Sequence, residues 1–211
     1  MSVEGIWNNA LTILGAPHVT STSDTTAQAV LINDIWEEFW ESFLADHNWS
    51  RAKTTSVLTQ LVDAGGDAVT PPTRWGKAFA LPSSFIRAIT LNGHALQPNS
   101  TTMCEINPIS VDGVMTNALF THDTDAELEY VFDVGNQVTL LQPQVRMACA
   151  HMLAAHIAGN FGRGDEQVAA LRQQAELKLA DAKAIDGQEH TPHFFAESPL
   201  LYQRRRWGGR R

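Results

Sequence analysis

The sequence predicts a mainly α protein with a β insertion: a four-helix bundle, a small antiparallel β module between helices 2 and 3, and an extended C-terminal arm. Three observations carry this expectation. Apolar residues recur at helical spacing before residue 48 and again from 142 to 186. Between those stretches the period drops to two, and turn residues punctuate the chain. Beyond residue 186 neither period continues. The expected units are residues 1–48 (two helices), 49–141 (β module), 142–186 (two helices) and 187–211 (arm).

The first helix is expected over residues 3–14. Ile6, Ala10, Ile13 and Leu14 share a face, with Trp7 and Leu11 beside them, and Gly15 and Pro17 end it. A Ser/Thr/Asp cluster follows at residues 20–25, and Thr25 with Gln28 three residues on fits a capping box. The second helix then runs to about His47. Leu31, Ile35, Phe39 and Phe43 form its stripe, widened by Ile32, Trp36, Trp40 and Leu44. Asp34, Glu37, Glu38 and Glu41 fall mostly on the other side, as a solvated face should.

From Trp49 to Val134 strands are expected at Thr54–Val62, Lys77–Leu81, Arg87–Leu96 and Glu127–Val134. In the last of these, Leu128, Tyr130, Phe132 and Val134 alternate with Glu127, Glu129, Val131 and Asp133. Turn signals stand at Ala64-Gly65-Gly66-Asp67, Pro71-Pro72, Asn92-Gly93 and Asp112-Gly113. Asn92-Gly93 suits a tight hairpin. Helices resume at Gln142, where Pro143 fits the first helical position. Val145, Ala148, Cys149, Met152, Leu153, His156 and Ile157 keep the helical rhythm. Residues 159–164 turn the chain, and Asp165 is a candidate N-cap. The fourth helix is expected to run to about Asp186, with Val168, Leu171, Ala175, Leu179 and Ala182 on one face and Gly187 closing it.

The chain has 211 residues, which fits one domain, or one domain with an elaborated insertion. No stretch of about 18 apolar residues exists to span a membrane. Met1-Ser2-Val3-Glu4 lacks the basic-then-apolar layout of a secretory leader, which makes the cytoplasm the expected place of synthesis and assembly. Cys104 and Cys149 are expected to be isolated, reduced core residues.

The net charge of −8 is unevenly spread. Residues 187–211 carry five arginines against Glu189 and Glu197, a net of +3, which leaves −11 on the rest. An acidic body with a basic tip argues against a general nucleic-acid-binding face and for a tail that seeks an acidic partner. That tail also carries Phe194, Phe195, Leu200, Leu201, Tyr202 and Trp207 among Arg204, Arg205, Arg206, Arg210 and Arg211. Aromatic residues in a stretch without its own core suggest surface to be buried elsewhere. These residues are the candidate binding site, and a protein groove suits their hydrophobes better than nucleic acid does; the bland alternative is a tail folded back on its own bundle.

No catalytic constellation is legible. The chain lacks a P-loop, GxGxxG, HExxH and GxSxG. His151 and His156, five apart on one helix, point about 140° apart and cannot share a metal. No cofactor and no metal are expected. Two rival readings remain. One is a small oligomeric DNA-binding protein using the arginine tip, with salt-sensitive affinity. The other is a hydrolase using carboxylates such as Glu37, Glu38 or Glu41.

The order of these features resembles a known family, the head-to-tail adaptors of short-tailed phages (tail tubular protein A, tail accessory factor, or gatekeeper). Ile13-Leu14-Gly15 followed by Val19-Thr20-Ser21-Thr22-Ser23-Asp24 is similar to the family's loop between its first two helices. Asp46-His47-Asn48-Trp49-Ser50-Arg51-Ala52 resembles the family's HPWNFA segment, with Asn48 at the usual proline and Ser50 at the usual asparagine. Trp75 to Pro82 with Phe85-Ile86-Arg87-Ala88-Ile89 resembles its Y-x-x-P…C-L-R-V passage, with Ser84-Phe85 where a cysteine is common. The alanine-rich helices from 143 to 186 complete the match. The resemblance implies a non-enzymatic virion protein of the tail or neck, assembled in the bacterial cytoplasm. It implies a ring of twelve copies between the portal protein and the tail nozzle protein, with DNA passing unspecifically through the lumen during genome ejection. It also implies that the C-terminal segment anchors each subunit to the portal.

Overall fold

The computed structural model describes residues 2–96 and 104–189. It contains α1 (Val3–Leu14), α2 (Ala27–Ala45), α3 (Pro143–Ile157) and α4 (Asp165–Glu189). Between α2 and α3 lie β1 (Lys53–Val57), β2 (Lys77–Ala80), β3 (Phe85–Leu91), β4 (His94–Ala95), β5 (Cys104–Val111), β6 (Val114–Thr121) and β7 (Glu127–Phe132).

In α1, Ile6, Trp7, Ala10, Leu11 and Leu14 are buried. Gly15 ends the helix in the left-handed region at φ 63°, where a side chain would be strained. Its neighbour Ala16 donates its N–H back to the Leu11 carbonyl at 2.9 Å. Asn8 then pins the returning loop, exchanging bonds of 2.9 and 2.8 Å with the carbonyl and amide of Val19. The cap of α2 is Thr26, whose hydroxyl accepts from the Ala29 amide at 3.4 Å, one residue later than the box expected at Thr25. Pro143 does open α3. At the far end of the chain, Asp165 begins α4 and Gly187 lies inside it, exposed, with two further helical residues after it. The expected glycine stop therefore fails: one exposed glycine costs a helix only about 1 kcal/mol, and contacts described below hold the last turn.

The seven strands form two antiparallel sheets, ordered β1-β7-β3-β4 and β2-β6-β5. The chain passes back and forth between them. Asn92-Gly93 turns β3 into β4 with φ of 50° and 77°, and Asp112-Gly113 turns β5 into β6 with 52° and 82°. Both are tight turns with two consecutive left-handed residues, the pattern that favours Asn-Gly and Asp-Gly. The β5–β6 hairpin, paired from Cys104↔Thr121 to Val111↔Val114, was not among the expected strands.

A mainly α four-helix bundle with a small β module does not describe this molecule. Helix makes up 43% and strand 24%, in four helices and two sheets of three and four strands among the described residues, so the β part is a full structural layer. The reason lies in β7, an interior strand of its sheet. Leu128 and Tyr130 on one face join Leu58, Phe79, Leu91 and Leu119 in a core between the two sheets. Val131 on the opposite face joins the core built from α1, α2 and α3. The four-stranded sheet is thus covered by helices on one side and by the second sheet on the other. Trp49, Ala52, Val134, Val138 and Leu141 also belong to the helical core, so one core runs continuously through helices and sheet.

The seam of that core is aromatic. Trp7 meets Trp36 edge-on at 5.7 Å, and Trp36 stacks on Trp40 at 5.2 Å. Trp40 stacks on Phe43 at 6.1 Å, and Phe43 on Trp49 at 5.4 Å. The ladder follows the i, i+3, i+4 spacing of α2 and carries on into the loop beyond it. Trp40 also donates its indole N–H to Asp133 at 2.9 Å, joining α2 to the chain just past β7.

Candidate functional site

The residues expected to bind a partner, namely Phe194, Phe195, Leu200, Leu201, Tyr202, Arg204, Arg205, Arg206, Trp207, Arg210 and Arg211, lie outside the described residues. What the structure does place is the root from which they follow. That root is the last two turns of α4, bound to the loop between α2 and β1.

The attachment is polar and multiple. Lys183 donates to Asp46 at 2.6 Å. Arg51 reaches both carboxylate oxygens of Glu189 at 3.2 Å each, in an exposed two-point pair. Between them sits Asp186, 1% exposed. Its carboxylate accepts the Ser50 amide at 3.1 Å on each oxygen and also the Ser50 hydroxyl. Gln142, at the entry to α3, donates to the same carboxylate at 3.5 Å. A buried acid surrounded by amide and hydroxyl donors is a specific arrangement, because removing it strands those donors away from water.

His47 Nε2 stands 3.5 Å from Asp186, and its ring meets Trp49 edge-on at 4.7 Å. Burial pushes the imidazole below its ordinary value; Asp186 opposes that, Lys183 reinforces it, and Asp46 opposes it. Trp49 is fully buried and donates to the Phe43 carbonyl at 3.3 Å. Asn48 accepts from Arg87 of β3 at 2.6 Å. Asn48, Ser50 and Arg51 are the positions at which this segment differs from the HPWNFA pattern it resembles. Each supplies a side-chain bond here, and a proline at 48 could not accept from Arg87.

Beside the root lies a groove of about 760 Å³ between α2, α3 and α4. Ile35, Phe39, Met152 and Leu179 line it with half-buried apolar surface. Glu38, Asp46 and Glu176 stand at its edges with Arg172. The groove lies where α4 packs on α3, burying Ala175 and Ala182, while Trp40 ties α2 to Asp133 just past β7. A closed four-helix bundle would have filled this space.

The catalytic alternatives gain no geometry. Glu37, Glu38 and Glu41 are exposed on α2. His151 is buried, with burial and then Lys178 holding its imidazole below the ordinary value, whereas His156 is exposed beside Phe39. Among the described residues, no group of three or more His, Cys, Asp or Glu is placed to hold a metal ion, and no helix is long and apolar enough to cross a membrane. Cys149 is buried, its thiol pushed up by burial, and Cys104 is half-buried; both are free.

The clamp on α4 was not foreseen. One signal for it was present. Ala175, Leu179, Ala182 and Asp186 are spaced by four, three and four residues, so Asp186 sits on the apolar stripe rather than at the helix end. An acid on a buried stripe requires a built partner. Comparison with protein-family models finds none that matches the chain, and comparison with curated proteins finds no significant match.

Proposed function

We propose that this chain is a structural head-to-tail adaptor of a short-tailed phage. In this reading its copies form a ring, twelve by the family resemblance, between portal and tail nozzle. DNA passes through the lumen, and residues 190–211 dock each subunit on the portal. The observation that carries the reading is the anchored root. Three polar attachments hold the last turns of α4 to the α2–β1 loop, so a hydrophobic, arginine-rich segment begins from a fixed point on a rigid body. A docking arm needs such a root, because force or binding energy at the arm is then transmitted to the whole subunit. The acidic balance of the body suits a conduit wall, since like charge keeps DNA from adhering.

The test is native mass determination of the full chain alone and after mixing with the portal protein of the same phage. The expected result is a defined many-copy ring formed with portal, and no ring from a chain lacking residues 190–211. If the shortened chain joins portal as the full chain does, the arm is not the anchor. If the full chain ignores portal at every salt concentration, the adaptor reading fails.

A further inference from the structure

We propose that the groove between α2, α3 and α4 is the seat of the chain's own residues 190–211 in the free subunit. The inference goes beyond the adaptor reading, because it concerns the subunit before any partner is met.

Position comes first. Asp46 belongs both to the groove and, through Lys183, to the root of the arm. Leu179 and Arg172 lie ten and seventeen residues before the end of α4 at Glu189, which at helical rise is about 15 and about 26 Å. Twenty-two residues follow Glu189, and at about 3.3 Å each they can reach far more than that distance. The arm is therefore long enough to turn back and run the length of the groove.

Chemistry comes second. The groove offers half-buried apolar side chains, Ile35, Phe39, Met152 and Leu179, between edges where Glu38, Glu176 and Asp46, the last already bonded to Lys183, outnumber the one arginine, Arg172. The arm offers Phe194, Phe195, Leu200, Leu201 and Tyr202, followed by five arginines. Residues 190–211 carry a net +4, which leaves −12 on residues 1–189. Apolar groups match the lining, and the opposite charges match edge to arm.

Tethering comes third. A segment joined to the body next to its groove meets it at a millimolar effective concentration or above. A groove too weak to hold a free peptide is still filled by its own tether. This favours the chain's own arm over that of a second copy at ordinary protein concentrations. The consequence is competition: a partner that takes the arm must outbid the groove, and in doing so uncovers it.

The test uses methyl-resolved NMR on the full chain. Methyl signals of Ile35, Met152 and Leu179 are compared between the native protein and the variant Phe194→Ser/Phe195→Ser/Leu200→Ser/Leu201→Ser. Ile6 and Leu119, buried and outside the groove lining, report that the body is unchanged. The expected result is that the three groove signals shift while Ile6 and Leu119 do not, and that the shift persists on dilution. A shift that disappears on dilution would assign the groove to a second copy and overturn the proposal. Unchanged groove signals would overturn it as well. Within the same framework, Glu38→Lys with Glu176→Lys, which leaves the Lys183–Asp46 bond in place, should move the native signals toward those of the arm variant.

Discussion

Helices α2 and α4 flank the same groove and are held in place in opposite ways. α2 has nineteen residues, among them buried Ile32, Trp40, Phe43 and Leu44, and stacked rings run along its length. α4 has twenty-five residues and buries only Ala175, Ala182 and Asp186. Dispersion and apolar burial hold α2 continuously. α4 rests on buried Ala175 and Ala182 flanked by half-buried Val168, Leu171 and Leu179, and is fastened at its C-terminal end by directional polar bonds. Continuous burial resists local opening, whereas a seam with one fastening can open from its free part without disturbing the core. The helix that leads to residues 190–211 is therefore the one whose position depends on a few specific bonds.

The supports of α2 and α4 can be removed separately. Trp49→Ala removes the last ring of the α2 ladder from a fully buried position. Unfolding free energy from urea titration should fall by about 3–5 kcal/mol, and exchange should quicken at amides of α2 as well as elsewhere. A loss under about 1 kcal/mol would mean that the ladder is not what supports α2.

Asp186→Ala removes the central group of the clamp and leaves the donors of Ser50 and Gln142 without it. The expected loss is about 1–3 kcal/mol, with faster hydrogen exchange concentrated in residues 180–189 and α2 unchanged. Equal loosening of the two helices would erase the distinction between them.

The smallest effect expected is on pH. His47 and His151 are both held below the ordinary imidazole value of 6.5, chiefly by burial. The unfolded chain then binds a proton more readily than the folded one. The stability these groups contribute is present above about pH 6.5 and is lost as pH falls through and below it. Urea titrations should show unfolding free energy declining from about pH 7 to about pH 5, and His47→Gln should remove part of the slope. The groups facing His47 are Asp186, Lys183 and Asp46. A slope of the opposite sign would mean that Asp186 and Asp46 outweigh burial at that ring.

Much of the fold was legible. The extents of α1 and α3 follow from apolar spacing and from Gly15 and Pro143, and the β3–β4 turn follows from Asn92-Gly93. The β5–β6 hairpin was not, for a physical reason. β5 alternates weakly because it is only half-buried along much of its length, and the last four residues of β6 are buried on both faces. Neither condition yields a clean period of two. The residues proposed as the arm, which lie outside the described residues, were nameable from composition, as aromatics and arginines in a stretch without period. Its root was not, because Lys183–Asp46 and Asp186–Ser50 join residues more than 130 apart.

Which segments form helices, where the tight turns fall, the acidity of residues 1–189 and the basic, aromatic character of the C-terminal stretch can all be read along the chain. Those are local properties, written in spacing, turn residues and charge. Only the tertiary structure decided that β7 would be buried on both faces, that helices and sheet would share one core, that α4 would be clamped by a buried acid, and that a groove would remain between α2 and α4. Those outcomes depend on which faces meet across long separations, and no local period records the identity of a distant partner.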